Sequence, residues 1–222
     1  MNISDELNTL LIKEFNCPAT DIKIDGQAIS EIDTETALNH PWEILNLSEK
    51  MIAEITSDQI EGDIHPAANI EGHIHLGEGS RILPGVYIEG NVSIGKNCKI
   101  GPNCYIRGNT SIGDNCHIGQ SVEIKNSLIM NNSNVGHLSY VGDSILCSEV
   151  NFGAGTITSN YRHDQSNHTM MIDGKIHDTG RRKFGVIIGQ GVHTGINTSF
   201  YPGRSLSSQS HTLPNEIVRK NK

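Results

Sequence analysis

The sequence predicts an all-β chain, a left-handed parallel β-helix of hexapeptide repeats with an N-terminal α-helical appendage, and three observations lead there. The first is an unbroken aliphatic column at every sixth position: Ile64, Ile70, Leu76, Ile82, Ile88, Ile94, Ile100, Ile106, Ile112, Ile118 and Ile124. The second is a small or β-branched column two positions earlier in each hexad, running from Ala68 through Cys98, Cys104 and Cys116 to Val122. A second inward position two residues along a strand requires such side chains. The third is a column of turn formers three positions after the aliphatic residue, Gly79, Gly85, Asn91, Asn97, Asn103, Asn109 and Asn115, types that tolerate positive φ. Each hexad is therefore a short strand and a corner. Gly72, Gly90 and Gly108, and likewise Gly77, Gly95 and Gly113, add a period of 18, so one revolution has three distinguishable sides. Residues 18 apart stack about 4.8 Å from one another. The left-handed winding is inferred from the repeat signature itself.

Taken in order, residues 1–38 form a small appendage with an amphipathic helix on Leu7, Leu10, Leu11 and Phe15 and a turn at Asp25-Gly26. Residues 39–58 form a linker helix opened by His40-Pro41-Trp42-Glu43, with Ile44, Leu47, Met51 and Ile55 as its apolar stripe against the prism or a neighbouring subunit. Residues 59–206 form the β-helix. Its beat falters from Asn126 to Asp143, resumes at Leu146 and Phe152, and is interrupted by residues 159–186, a binding loop with a hairpin tip at Ile172-Asp173-Gly174-Lys175-Ile176. Residues 207–222 read as a degenerate final coil and tail.

Composition narrows the function. Aromatics are only 5% beside 23 glycines, so the core is aliphatic and repetitive. With 17 basic and 25 acidic residues, a net charge of -8 argues against nucleic acid and against a membrane surface as partners. The acidic start at Met1 to Leu7 and the absence of a long apolar run place the expected location in the cytoplasm. Five cysteines fit no zinc or redox spacing, and His73 with His75 lacks a matching carboxylate or thiolate in sequence, so no metal is expected.

One corner reads Glu71, Glu89, Arg107, Lys125, one revolution apart. Two cations a strand spacing apart repel unless an anion lies beside them, which makes Arg107 and Lys125 a candidate phosphate site. The alternative is a surface ladder in which Glu89 pairs with Arg107 and Lys125 is solvated.

Three stretches carry a resemblance: Ser121 to Lys125, Gly136-His137-Leu-Ser-Tyr140-Val-Gly-Asp143, and Asn151-Phe-Gly-Ala-Gly-Thr156 through Asn160-Tyr161. Together they resemble the acetyltransferase half of the bifunctional glucosamine-1-phosphate acetyltransferase / N-acetylglucosamine-1-phosphate uridylyltransferases. Gly180 to Gly185 and Thr194 to Thr198 are similar to the archaeal-type sugar-1-phosphate nucleotidylyltransferase/acetyltransferases. The resemblance implies acetyl-CoA as cosubstrate, an amino-sugar 1-phosphate or nucleotide-linked amino sugar as acceptor, and a homotrimer sharing each site. It implies His137 as general base, Tyr140 orienting the acetyl or phosphate group, and Asn151 and Asn160 holding the sugar. Arg107 and Lys125 would take the sugar phosphate, and Arg181, Arg182 and Lys183 the coenzyme phosphates. Two departures stand out. Gln165 to Thr169 lacks the lysines the family carries after Asn160-Tyr161, and fewer than 65 residues precede the prism, so a nucleotidylyltransferase half is not expected. The lysine-free loop leaves open a non-catalytic trimeric scaffold or ligand-binding remnant that partners a separate nucleotidylyltransferase.

Overall fold

The aliphatic column dictates the architecture. In a computed structural model, which describes residues 3–33, 37–172 and 174–222, isoleucines 18 apart are in-register neighbours: Ile82 beside Ile100, Ile88 beside Ile106, Ile94 beside Ile112. The strands form three parallel sheets around one core. The first face has six strands, from Asp63–Ile64 to Asn151–Phe152. The second has eight, from Asn69–Glu71 to Ile217–Val218, and the third eight, from Gln59–Ile60 to Arg204–Leu206. The column is fully buried from Leu76 onward, and each such aliphatic side chain stabilises the fold by roughly 1.5–3 kcal/mol relative to exposure.

The corners use the expected residues with one change. Gly79, Gly85, Asn97, Asn103 and Asn115 have positive φ, but Asn91 and Asn109 do not. At that corner the turn falls one residue earlier, on Gly72, Gly90 and Gly108, and later coils place Asn126 and Asp143 there, at φ 48° and 49°. Asn91 is freed to dock the appendage instead.

The beat does not break after Ile124. It shortens to a 17-residue revolution, pairing Ile118 with Val135, Ile124 with Val141 and Ile129 with Leu146, because the side leading into the third face, from Ile124 to Ile129 and again from Val141 to Leu146, is one residue short in each coil. Residues 207–222, expected as a degenerate final coil and tail, do add a coil: Ile217–Val218 pairs with Ser199–Phe200, and Val218 is buried. The insert does form an antiparallel hairpin, Thr169–Ile172 with Lys175–Asp178. Asp173, within the expected tip, lies outside the described residues.

The appendage is built on two helices. Helix α1, Asp5–Phe15, starts where the Leu7 N–H donates to the Ser4 hydroxyl at 3.1 Å. Helix α2, Pro41–Ala53, has Pro in its first turn, and the Glu43 carboxylate accepts from the His40 N–H at 3.0 Å. The buried face of α2 is Trp42, Ile44, Leu45, Ser48 and Ile52; Leu47 and Met51, expected in the stripe, are only half-buried. The stripe is turned because α2 does not serve as a separate linker. Leu45 and Ile52 join Leu7, Leu11 and Phe15 in one core with Leu128, Ile145 and Ile187, which face outward from the third face. That face is apolar on both sides, as a sheet covered on both sides must be. Among the described residues no helix is long and apolar enough to cross a membrane.

Asn91 secures the end of α2. Its Nδ2 donates to the carbonyls of Ile52 and Ile55 at 3.1 and 2.9 Å, while its Oδ1 accepts from the His73 N–H at 3.0 Å. Asn91→Ala is expected to lower stability by about 1–2 kcal/mol, read as a shifted denaturation midpoint.

Candidate active site

The second face carries most of the group. A strand sends alternate side chains outward, so Arg107, Glu123, Lys125 and Tyr140 point away from the core while Ile106, Ile124 and Val141 point in. Register then stacks Arg107 beside Lys125, Glu123 beside Tyr140, and Lys125 beside Gly142.

Neither cation is bare, and neither has the partner considered from sequence. Arg107 Nε donates to Glu123, not Glu89, at 2.8 Å. Lys125 Nζ donates to both carboxylate oxygens of Asp143, at 3.1 and 3.0 Å. Lys125 is not a solvated ladder residue: its side chain is 15% exposed, and that of Asp143 only 2%. An acid so deeply buried must be surrounded by donors. Asn126 Nδ2 donates to it at 2.9 Å, Asn160 Nδ2 donates to it as well, and an Arg181 Nη lies 3.9 Å away.

Asn160 also donates to the Tyr140 hydroxyl at 2.9 Å. Burial first, then the nearby Asp143 and Glu123 carboxylates, raise the Tyr140 pKa, so its hydroxyl keeps its proton. Gly142 makes this closure possible. A Cβ there would sit 2.3 Å from the Tyr140 hydroxyl and 2.7 Å from the Asn160 amide.

His137 ends the first-face strand Asn134–His137, beside Gln120, and its residue is exposed. Its carbonyl accepts from the Ser139 hydroxyl at 2.7 Å and from the Gly155 N–H at 3.2 Å, so the backbone is held independently of the imidazole. The next residue, Leu138, turns the corner at φ 51° and is 64% exposed. Positive φ is costly for a bulky side chain, and the other coils place Gly, Asn or Ser at this corner. His117, one coil below, has its pKa lowered by burial, then by Lys99 and His137.

The expected residues thus fall into three places. Arg107, Lys125, Tyr140 and Asn160 share one cluster, with His137 around the adjacent corner. Asn151 is not in it: it starts a first-face strand, stacked on Asn134, about 10 Å along the strand direction from the His137 position. The cations of the insert separate. Arg182 and Lys183 are exposed, but Arg181 turns inward and pairs with Asn46 and Glu49 of α2. Lys183 forms a backbone bridge with Tyr161.

Sequence reasoning missed three contributors. Asp143 was visible as the last residue of the Gly136 to Asp143 motif, but nothing there pointed to its role as the partner of Lys125. Asn46 and Glu49 gave no signal, since an exposed polar face on a helix is ordinary. Glu49 also accepts from Asn126 at 2.7 Å, which ties α2 to the cluster around Asp143. His73 and His75 each meet a carboxylate, Asp58 at 3.2 Å and Asp25 at 3.0 Å, in two separate pairs. All five cysteines are free and buried.

Comparison with known proteins adds a family. The model of the GMPPB C-terminal domain matches residues 88–200. A bifunctional sugar-1-phosphate nucleotidylyltransferase/acetyltransferase of Sulfurisphaera tokodaii is 39% identical over 183 residues, 82% of this chain and 46% of the relative. The bifunctional protein GlmU of Methanococcus aeolicus is 42% identical over 209 residues, 94% of this chain and 48% of the relative. That of Methanococcus maripaludis strain C7 is 52% identical over 173 residues, 78% of this chain and 42% of the relative. The chain therefore spans about half the length of the curated relatives it matches.

Proposed function

The chain belongs to the family of the GMPPB C-terminal domain, and on that premise we propose that it is an acetyl-CoA-dependent N-acetyltransferase. Its acceptor is an amino-sugar 1-phosphate of the glucosamine-1-phosphate kind or a nucleotide-linked amino sugar. The observation that carries this reading is the cluster itself: two cations, a protonated tyrosine hydroxyl and an amide share one face, with an exposed imidazole around the next corner.

His137 accepts the proton that the sugar amine loses as its nitrogen bonds to the acetyl carbon; the C–S bond breaks, and the proton passes to the departing sulfur. Arg107 and Lys125 hold the phosphate. The Arg107 bridge to Glu123 runs through Nε, so its Nη end is not consumed. Asn160 and Tyr140 orient the sugar and acetyl groups, and Asn151 holds the sugar only if a second copy of the chain supplies it. Arg182 and Lys183, both exposed, are the cations suited to the coenzyme phosphates, whereas Arg181 serves Asp143.

Assembly as a homotrimer fits the exposed apolar residues at or near the His137 corner. Leu138, Ile196 and Leu213 are 64%, 52% and 66% exposed, and Ile157 and Ile217 adjoin them on the second face. A contact there would place His137 between two copies. The alternative, a non-catalytic trimeric scaffold, rests on the lysine-free loop Gln165 to Thr169.

The test is thiol release from acetyl-CoA with glucosamine-1-phosphate as acceptor. Turnover is expected; silence with every amino-sugar phosphate and nucleotide-linked amino sugar would leave the scaffold standing.

A further inference from the structure

We propose that the cavity above Tyr140 on the second face is a subsite for a nucleoside bearing two phosphate groups. The cavity measures about 610 Å³ and is lined by Ile157, Tyr161, Arg162, Tyr201, Arg204 and Ile217. Such a volume suits a small-molecule ligand. Its charge is unusual for a chain of net -8. Arg204 is half-buried, its Nε donates to the Pro202 carbonyl at 3.2 Å, and among the described residues it has no carboxylate at ion-pair distance. Burial, then the neighbouring Arg162, lower its pKa, the signature of a cation short of an anion. Arg162 lies along the same wall and, among the described residues, has Asp164 as its one acidic partner, at 2.9 and 2.6 Å. A third guanidinium, Arg219, sits 5.9 Å from the Tyr201 ring centroid.

Two guanidinium groups line the cavity against one carboxylate, Asp164, with Arg219 behind the Tyr201 ring; that excess of positive charge calls for an anion, and guanidinium matches phosphate geometry. The remaining wall carries aromatic and aliphatic side chains beside Ser159, His163 and Ser199. Tyr161 and Tyr201 are 43% and 51% exposed, rings open to stack on a base, with Ile157 and Ile217 beside them. Ile157 pairs with Tyr140, so the cavity starts one strand spacing from the acceptor cluster. A nucleotide seated there would present an attached sugar to Tyr140 and Asn160.

The proposal deepens the transferase reading and rests on it for the source of the moiety: the acceptor's own nucleotide, or the adenosine of the coenzyme. The experiment is calorimetry on the full chain with UDP, GDP, adenosine 3′,5′-bisphosphate and inorganic phosphate. At least one nucleotide is expected to bind at least about tenfold more tightly than inorganic phosphate. Arg204→Ala and Arg162→Ala should each weaken it about tenfold or more, as should Tyr201→Ala, while Arg204→Lys retains part of the affinity. Arg162 and Tyr201 are surface positions, so their variants keep the test decisive should Arg204→Ala unfold. Preference for UDP or GDP assigns the subsite to the acceptor, preference for the bisphosphate to the coenzyme. No nucleotide binding by the folded parent, or binding undiminished in Arg162→Ala and Tyr201→Ala, overturns the proposal. Nucleotide binding without acetyl transfer would instead remove the transferase reading and leave the subsite.

Discussion

His137→Ala is expected to lower kcat for acetyl transfer by about 10²–10⁴ with the acceptor KM nearly unchanged, because a general base acts in the transition state and contributes little to ground-state binding. The substitution isolates this role well. The strand carrying His137 is held by its carbonyl, which Ser139 and Gly155 engage, and by pairing with Gln120, none of which needs the imidazole. The residue is exposed, so no cavity is left behind. Steady-state thiol release across acceptor concentrations reads both constants. Unchanged kcat would take the base assignment away, and a rise confined to KM would make His137 a binding residue.

Asp143→Asn is expected to destabilise the chain by about 3–5 kcal/mol, on the order of 10 °C in Tm, by leaving the buried Lys125 ammonium without its counter-charge. Asparagine keeps the shape and tolerates φ 49°, so backbone strain does not enter. Asp143 has the least exposed side chain in this ion-pair group, and it holds Lys125, Asn126 and Asn160 at once. The exposed Arg107–Glu123 pair gives the contrast: its side chains are 37% and 32% exposed, so Glu123→Gln should cost no more than about 1 kcal/mol. Thermal unfolding of the two variants side by side checks the difference. Equal, small losses would mean Asp143 is not the anchor of the cluster.

The prism was legible because its signal is redundant. Eleven aliphatic residues at a spacing of six leave few alternatives, and stacking at 18 follows from three sides. What the sequence hid was change of register. Losing one residue per revolution from one side shifts the period to 17 without disturbing the inward column, so Val135 and Val141 looked like a lapse. At the site, counting alone stacked Arg107 and Lys125 on one face, as the register has them, whereas Tyr140 came from the motif resemblance. The partners of the cations were not so placed, since the Lys125 partner lies 18 residues onward at a corner, and Arg181 is fixed by residues 132 and 135 positions away. Helix α2 was visible as a helix; its contact with Asn126 and Arg181 depends on where the appendage docks, which no local pattern records. Asn151 shows the converse, a motif residue that one copy of the chain leaves apart from the cluster.

The most direct measurement is the ratio of kcat/KM for glucosamine-1-phosphate over glucosamine, taken for the parent and for Lys125→Ala. If the stacked cations of the second face grip the acceptor phosphate, the parent favours the phosphorylated sugar by about 10–100-fold and the variant loses most of that preference. A parent ratio near one, or a ratio that Lys125→Ala leaves untouched, would contradict a phosphate site on that face.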